Sequence, residues 1–151
     1  MATAKVDANK KVLERILKAY SEGDLERVVS AFDDNVVWMV HTLPGHYRFG
    51  GPRRGHLGMT EVWAMLATYF TMERYESREM VGEEDVVWST NELTVLVRKT
   101  GKRVLLRLVN RWQFKDGKVT ACDEYFDTAA TLAQQERIPE AIPDEAGGAK
   151  G

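Results

Sequence analysis

Two acids, Asp123 and Glu124, stand side by side near the end of the chain, and two amides, Asn91 and Asn110, interrupt apolar-rich stretches upstream. A carboxyl group in apolar surroundings resists ionisation, because desolvation penalises its charged form. Such a group can give or take a proton near neutral pH. An inward amide beside it can donate a hydrogen bond to an oxygen that is gaining negative charge. His41, at the end of the run Val36-Val37-Trp38-Met39-Val40, is the complementary acid–base candidate. The three histidines, at 41, 46 and 56, lack zinc-ligand spacing; with one cysteine and no HExxH motif, no metal is expected. The glycine-rich segment at 50–55 lacks the spacing and lysine of a phosphate loop, and no cofactor is expected either.

The chemistry depends on which way these side chains face. Side chains alternate across a strand, so the apolar face of a run marks its core side. Over residues 103–114, Val104, Leu106, Leu108, Asn110, Trp112 and Phe114 share one face, and Arg103, Arg107 and Arg111 mark the other. Asn110 is the one polar residue on the core side. A buried amide costs on the order of 1–3 kcal/mol unless it is hydrogen-bonded, so something must satisfy it. Residues 86–98 repeat the pattern, with Val87, Ser89, Asn91, Leu93, Val95 and Val97 on the more apolar face. Over 119–126, Thr120, Cys122, Glu124 and Phe126 share one side, and Val119, Ala121, Asp123 and Tyr125 the other. The pattern leaves open which acid turns inward. The arginine row reads as the outer face of a sheet, paired with Glu92 on the neighbouring strand.

The remaining elements follow from periodicity and punctuation. Residues 1–9 read as a loose arm. Val12, Leu13, Ile16, Leu17 and Tyr20 recur at helical spacing, Gly23 closes that helix, and Asp24 caps a second. Asp33-Asp34-Asn35 reads as a turn before a buried strand at 36–40. Residues 41–55 read as a loop with a short extended piece at 46–49. A third helix follows, with Val62, Trp63, Leu66, Tyr69 and Phe70 on its apolar side. Strand runs at 76–81, 86–98, 103–114 and 119–126 come next, joined by glycine turns, and a closing helix spans 127–136. The expectation is one α+β domain over 1–136 and a disordered tail over 137–151.

Composition excludes several functions. A formal net charge of −2 without a basic stripe argues against nucleic acid as a partner. No apolar run approaches the roughly 20 residues needed to span a bilayer, so no membrane role is expected. One cysteine cannot form an internal disulfide and fits a reducing compartment. With a polar N-terminus, the expected location is cytoplasmic.

The segments VLERILKAYSEGDLERVVSAFDDNVVW, GPRRGHLGMTEVWAML, LLRLVNRWQFKDGKVTACDEYFD and TAATLAQQ resemble the SnoaL-like branch of the nuclear transport factor 2-like (NTF2-like) superfamily. Ketosteroid isomerase, limonene epoxide hydrolase and scytalone dehydratase belong to that superfamily. The resemblance implies a cone: a strongly curved mixed sheet packed against three N-terminal helices, with a short C-terminal helix. It also implies a homodimer joined through the outer sheet face, where Trp88, Leu96, Leu105 and Val109 would otherwise be exposed. The general base of ketosteroid isomerase corresponds to Met39 or Val40, and its helix-one tyrosine to Ile16. Neither correspondence keeps the function, so steroid isomerisation of that kind is not expected. Its second oxyanion donor corresponds to Asn110. The water-activating aspartate of limonene epoxide hydrolase corresponds to Glu124, but its Arg and Asp partners fall near Asn91 and Leu93.

Together these readings predict a cofactor-free acid/base enzyme: an isomerase, hydrolase, dehydratase or cyclase. Its substrate would be a small hydrophobic carbonyl or epoxide compound. Glu124, Asn110 and His41 would act chemically, and Asn91, Trp38, Met39, Trp63, Phe70, Trp112 and Tyr20 would contact the substrate. The alternative is a dimer of the same fold that binds a small hydrophobic ligand without turning it over.

Overall fold

The computed structural model describes residues 3–43 and 45–135, and its first helix begins earlier than the apolar repeat suggests. Helix α1 spans Ala4–Ser21, so most of the expected loose arm is helical. The Thr3 hydroxyl caps it by accepting from the Val6 N–H at 3.3 Å. Val6 and Asn9 are buried, which anchors that first turn. Asn9 Nδ2 donates to Glu84 O at 3.4 Å. A Cβ at Gly82 would lie 2.8 Å from Val6 Cγ1, so only glycine lets the helix lie this close to the strand end. Gly23, at φ 75°, ends the helix as expected. Asp24 then caps α2 (Leu25–Ser30), accepting from Arg27 N at 3.1 Å.

Strand β1 spans Phe32–His41 and absorbs the expected turn at Asp33-Asp34-Asn35. The local turn chemistry survives as an Asn35 N–H to Asp33 Oδ1 bond of 2.9 Å, while the pairing of β1 shifts register between Phe32 and Val37. The extended piece expected at 46–49 falls instead at β2 (Gly51–Arg54), which pairs antiparallel with β1. Helix α3 (Gly55–Tyr69) ends before Phe70, which starts β3 (Phe70–Glu83). Then come β4 (Val86–Val97), β5 (Arg103–Lys115), β6 (Lys118–Phe126) and α4 (Thr128–Gln134), the last capped by Asp127. The tail expected over 137–151 lies outside the described residues.

The described residues form a six-stranded sheet in the order β2-β1-β6-β5-β4-β3. Every pairing is antiparallel except β1 with β6, which is parallel. That crossover places Val40 beside Glu124 on one side, while Asn110 of β5 lies opposite Glu124 on the other. The expected inner faces hold: Val87, Ser89, Asn91 and Val95 of β4 and Val104, Leu108, Asn110, Trp112 and Phe114 of β5 are all buried. On β6 the alternation slips. An irregularity between Gln113 and Phe114 leaves Thr120 out of the register with β5, so Val119 is fully buried while Ala121, Asp123 and Tyr125 face outward. The arginine row is outward as read, with Arg107 Nε 3.5 Å from Glu92 Oε1.

Candidate functional site

The inner face of the sheet and the helices enclose a cavity of about 290 Å³, near the lower end of the range for small-molecule sites. Ile16, Leu17 and Tyr20 reach it from α1, and Trp63 and Leu66 from α3. Trp38 and Trp112 wall the sheet side. Aromatic rings hold this wall rigid. Trp38 meets Trp63 edge-on at 5.8 Å and Trp112 at 6.2 Å, and lies nearly parallel to Phe32 at 6.1 Å. Phe70, expected on a helix, reaches the cavity from the start of β3. Thr131 and Gln135 close one end from α4 and the residue after it.

Glu124 is the acid that turns inward, and it lines the cavity with Asn110. Asn110 Nδ2 donates to Glu124 Oε2 at 3.0 Å and also points to Cys122 Sγ at 3.6 Å. Behind Asn110 runs a buried polar chain. Asn91 Nδ2 donates to Asn110 Oδ1 at 3.0 Å and to Ser89 Oγ at 3.1 Å, and the Trp112 indole N–H donates to the same Ser89 oxygen at 2.9 Å. Asn91 is buried behind the wall and takes no part in the lining, so it cannot contact a molecule in the cavity as expected. Burial pushes the Glu124 carboxyl above its ordinary value, and the Asn110 N–H partly opposes that rise by favouring the charged form.

Two phenols add to the polar lining. Tyr20 of α1 was expected here; Tyr75 of β3 was not. Their rings meet edge-on at 5.3 Å, and among the described residues neither hydroxyl has a hydrogen-bond partner. Burial, reinforced by the negative charge of Glu124, raises both phenols well above their usual range, so both remain neutral donors. Tyr75 lies on a strand of mixed charged and apolar residues, Phe70–Glu83, whose pairing with β4 shifts register twice. Period-two reading gives no inner face for such a strand, which is why the sequence conceals this residue.

His41 and Met39 do not join the site. Alternation from the buried Trp38 and Val40 turns both to the outer face of β1. His41 Nε2 lies 3.0 Å from Asp123 Oδ1, and the imidazole stacks on Tyr125 at 4.2 Å. The sequence places His41 at this strand end as a partner for Glu124, and the structure turns it to the opposite face. Of the expected residues, the structure gathers Glu124, Asn110, Tyr20, Trp38, Trp63, Phe70 and Trp112 around one cavity. Among the described residues, no group of histidine, cysteine or acidic side chains is arranged to hold a metal ion.

Residues 13–122 match the model of the SnoaL-like domain, and Glu124 lies two positions past that match. The chain belongs to the SnoaL-like family. Solved structures place this SnoaL-like protein among NTF2-like, ketosteroid isomerase-related folds. TerC, co-crystallised with polyporic acid, is 30% identical, with 85% of this chain and 98% of that one covered at a TM-score of 0.74. An NTF2-like protein of unknown function from Burkholderia pseudomallei reaches a TM-score of 0.77 at 22% identity, covering 84% and 96%. A candidate isomerase from Rhodopseudomonas palustris reaches 0.72 at 20% identity, covering 85% and 96%. No curated protein matches the sequence. Among the described residues, no helix is long and apolar enough to cross a membrane.

Proposed function

We propose that this protein is a cofactor-free acid/base enzyme of the isomerase type, acting on a small hydrophobic carbonyl compound held in the cavity. One observation carries the reading. A single carboxyl group, Glu124, shares a largely apolar chamber with the hydroxyls of Tyr20 and Tyr75, which have no partner among the described residues. Glu124 takes a proton from the carbon next to the carbonyl. The C–H electron pair becomes a C=C bond, and the carbonyl electrons move onto oxygen as an enolate. Tyr20 and Tyr75 donate to that oxygen. In a β,γ-unsaturated carbonyl compound this intermediate is a dienolate: the same carboxyl returns the proton at the γ-carbon, the oxygen electrons re-form the C=O bond, and the C=C bond moves into conjugation. A single proton carrier suffices for this transfer, and it needs no second acid–base group. The likeness to a candidate isomerase and to TerC, co-crystallised with polyporic acid, supports the reading at the level of fold.

The alternative is binding without turnover, and the position of His41 on the outer face favours it to the extent that the chemistry needs two titrating groups. Deuterium exchange separates the two. With 2-tetralone as the probe, in D₂O at neutral pH, the native chain is expected to speed loss of the α-hydrogen signal over buffer. Glu124→Gln is expected to lower that rate on the order of 10²–10⁴-fold, and Tyr75→Phe on the order of 10²-fold with a smaller change in KM. Equal exchange by the native chain and Glu124→Gln removes the enzymatic reading.

We propose in addition that two copies pair through the outer sheet face. Trp88, Leu105, Val109 and Tyr125 are each 39–41% exposed there in the single chain, large apolar side chains that pairing would cover. The expected setting is the cytoplasm.

A further inference from the structure

Asn91 presents an unexplained cost. Its side chain is fully buried, touches no part of the cavity, and leaves Oδ1 without a partner among the described residues. A stranded buried carbonyl costs on the order of 1–3 kcal/mol, and an apolar side chain of similar size would avoid it. What the cost supports is visible in the direction of the chain. The Trp112 indole N–H can only donate, and it donates to Ser89 Oγ. Both hydrogens of Asn91 Nδ2 are placed, one on Ser89 Oγ and one on Asn110 Oδ1. With its oxygen held, Asn110 turns its nitrogen to the cavity side, where it meets Glu124 Oε2 and Cys122 Sγ.

We propose that Asn91, anchored by Ser89 and Trp112, is a positioning residue for Glu124: it locks the Asn110 amide with its nitrogen toward the carboxyl. An amide has two faces of nearly equal shape and opposite polarity. Nitrogen toward Glu124 favours the carboxylate. Oxygen toward Glu124 favours the protonated acid, which then donates to it. Without the lock, nothing prevents the second orientation, and burial already favours the neutral acid. The lock therefore keeps the base form available despite the apolar setting. The charge of Glu124 acts on three ionisable groups, Tyr20 from α1, Tyr75 from β3 and Cys122 on its own strand, whereas Glu124 itself is moved by burial and by the Asn110 amide. Its neighbours from β1 and β5 are Val40 and Asn110, which do not titrate. The amide is thus the adjustable influence on this carboxyl.

This inference deepens the acid/base reading, yet its test needs no turnover, so either can fail alone. The full chain is labelled with carbon-13 at the glutamate carboxyl carbons. The Glu124 signal is identified by its loss in Glu124→Gln, and its titration is followed by NMR. Asn91→Leu is expected to raise the Glu124 midpoint by about one unit or more, a tenfold or greater change in proton affinity. Placed in an Asn110→Leu background, the same substitution is expected to leave the midpoint where Asn110→Leu alone puts it. A packing role alone would lower stability and leave the titration unmoved. Should Asn91→Leu fail to fold, Ser89→Ala removes one anchor of the Asn91 amide and is expected to shift the midpoint upward by less. An unmoved or lowered midpoint in the variant that folds overturns the proposal. So does an upward shift that persists without Asn110.

Discussion

At the scale of the residue, Glu124 trades stability for reactivity, and pH makes the trade measurable. Its carboxyl titrates above the ordinary 4.5 because the cavity wall strips away water. The folded chain therefore keeps this proton over a pH interval in which the unfolded chain has already released it. The stability the group contributes is complete below about 4.5 and is lost as pH rises through the raised folded value. Glutamine carries no such proton. Glu124→Gln is thus expected to gain stability relative to the native chain as pH rises from 4 to 8, by about 1.4 kcal/mol for each unit of the native elevation. Urea unfolding at both ends of that range reads the difference, and a gap that stays constant would mean the carboxyl is not desolvated. Cys122, buried beside Glu124 and pushed upward by burial and by that charge, stays a neutral thiol in the same setting.

At the scale of the element, α4 matters more than its seven residues suggest. Thr131 lines the cavity, so the helix is part of its closure. Its attachment is a side chain imitating a strand. Gln134 Oε1 accepts from Leu105 N at 2.8 Å, and Gln134 Nε2 donates to Leu105 O at 2.9 Å. β6 ends its pairing at Leu108, three residues short of Leu105, and the glutamine amide fills that gap. Asp127 caps the helix by accepting from Ala130 N at 2.8 Å. Each neutral bond contributes about 0.5–1.5 kcal/mol net. Gln134→Ala is therefore expected to speed hydrogen exchange at the Leu105 amide and across α4 on the order of tenfold, leaving β4 unchanged. Equal exchange in both proteins would show that α4 is held by its apolar contacts, Leu132 above all.

At the scale of the whole molecule, the sheet has two faces with different tasks. The inner one carries the cavity; the outer one carries the half-exposed Trp88, Leu105, Val109 and Tyr125 among ion pairs such as Arg103 with Glu73 and Arg78 with Glu92. A charge placed at Leu105 would be stranded against a second copy but solvated in a single one. Leu105→Glu is accordingly expected to convert a dimer to a monomer in light scattering while preserving the far-ultraviolet dichroism. A native chain that is already monomeric would remove the pairing proposal and leave the cavity untouched.

Strand alternation settled much of this molecule in advance, because β4 and β5 are long and strongly patterned. Asn91 and Asn110 had to face inward, and something had to satisfy Asn110. Cap residues Asp24 and Gly23 acted as local chemistry dictates. What the sequence could not decide was relative placement across non-local contacts. Whether Asp123 or Glu124 entered the cavity depended on the parallel pairing of β1 with β6 and on the slip at Thr120. His41 and Met39 fell on the outer face by alternation from Trp38 and Val40, which the unbroken apolar run at 36–40 did not reveal. Tyr75 stayed hidden on an irregular strand, and the early start of α1 depended on Val6 packing against Gly82, 76 residues away. Alternation is a property of one strand, whereas register, bulges and helix docking are set by partners far along the chain, and only the assembled fold supplies them.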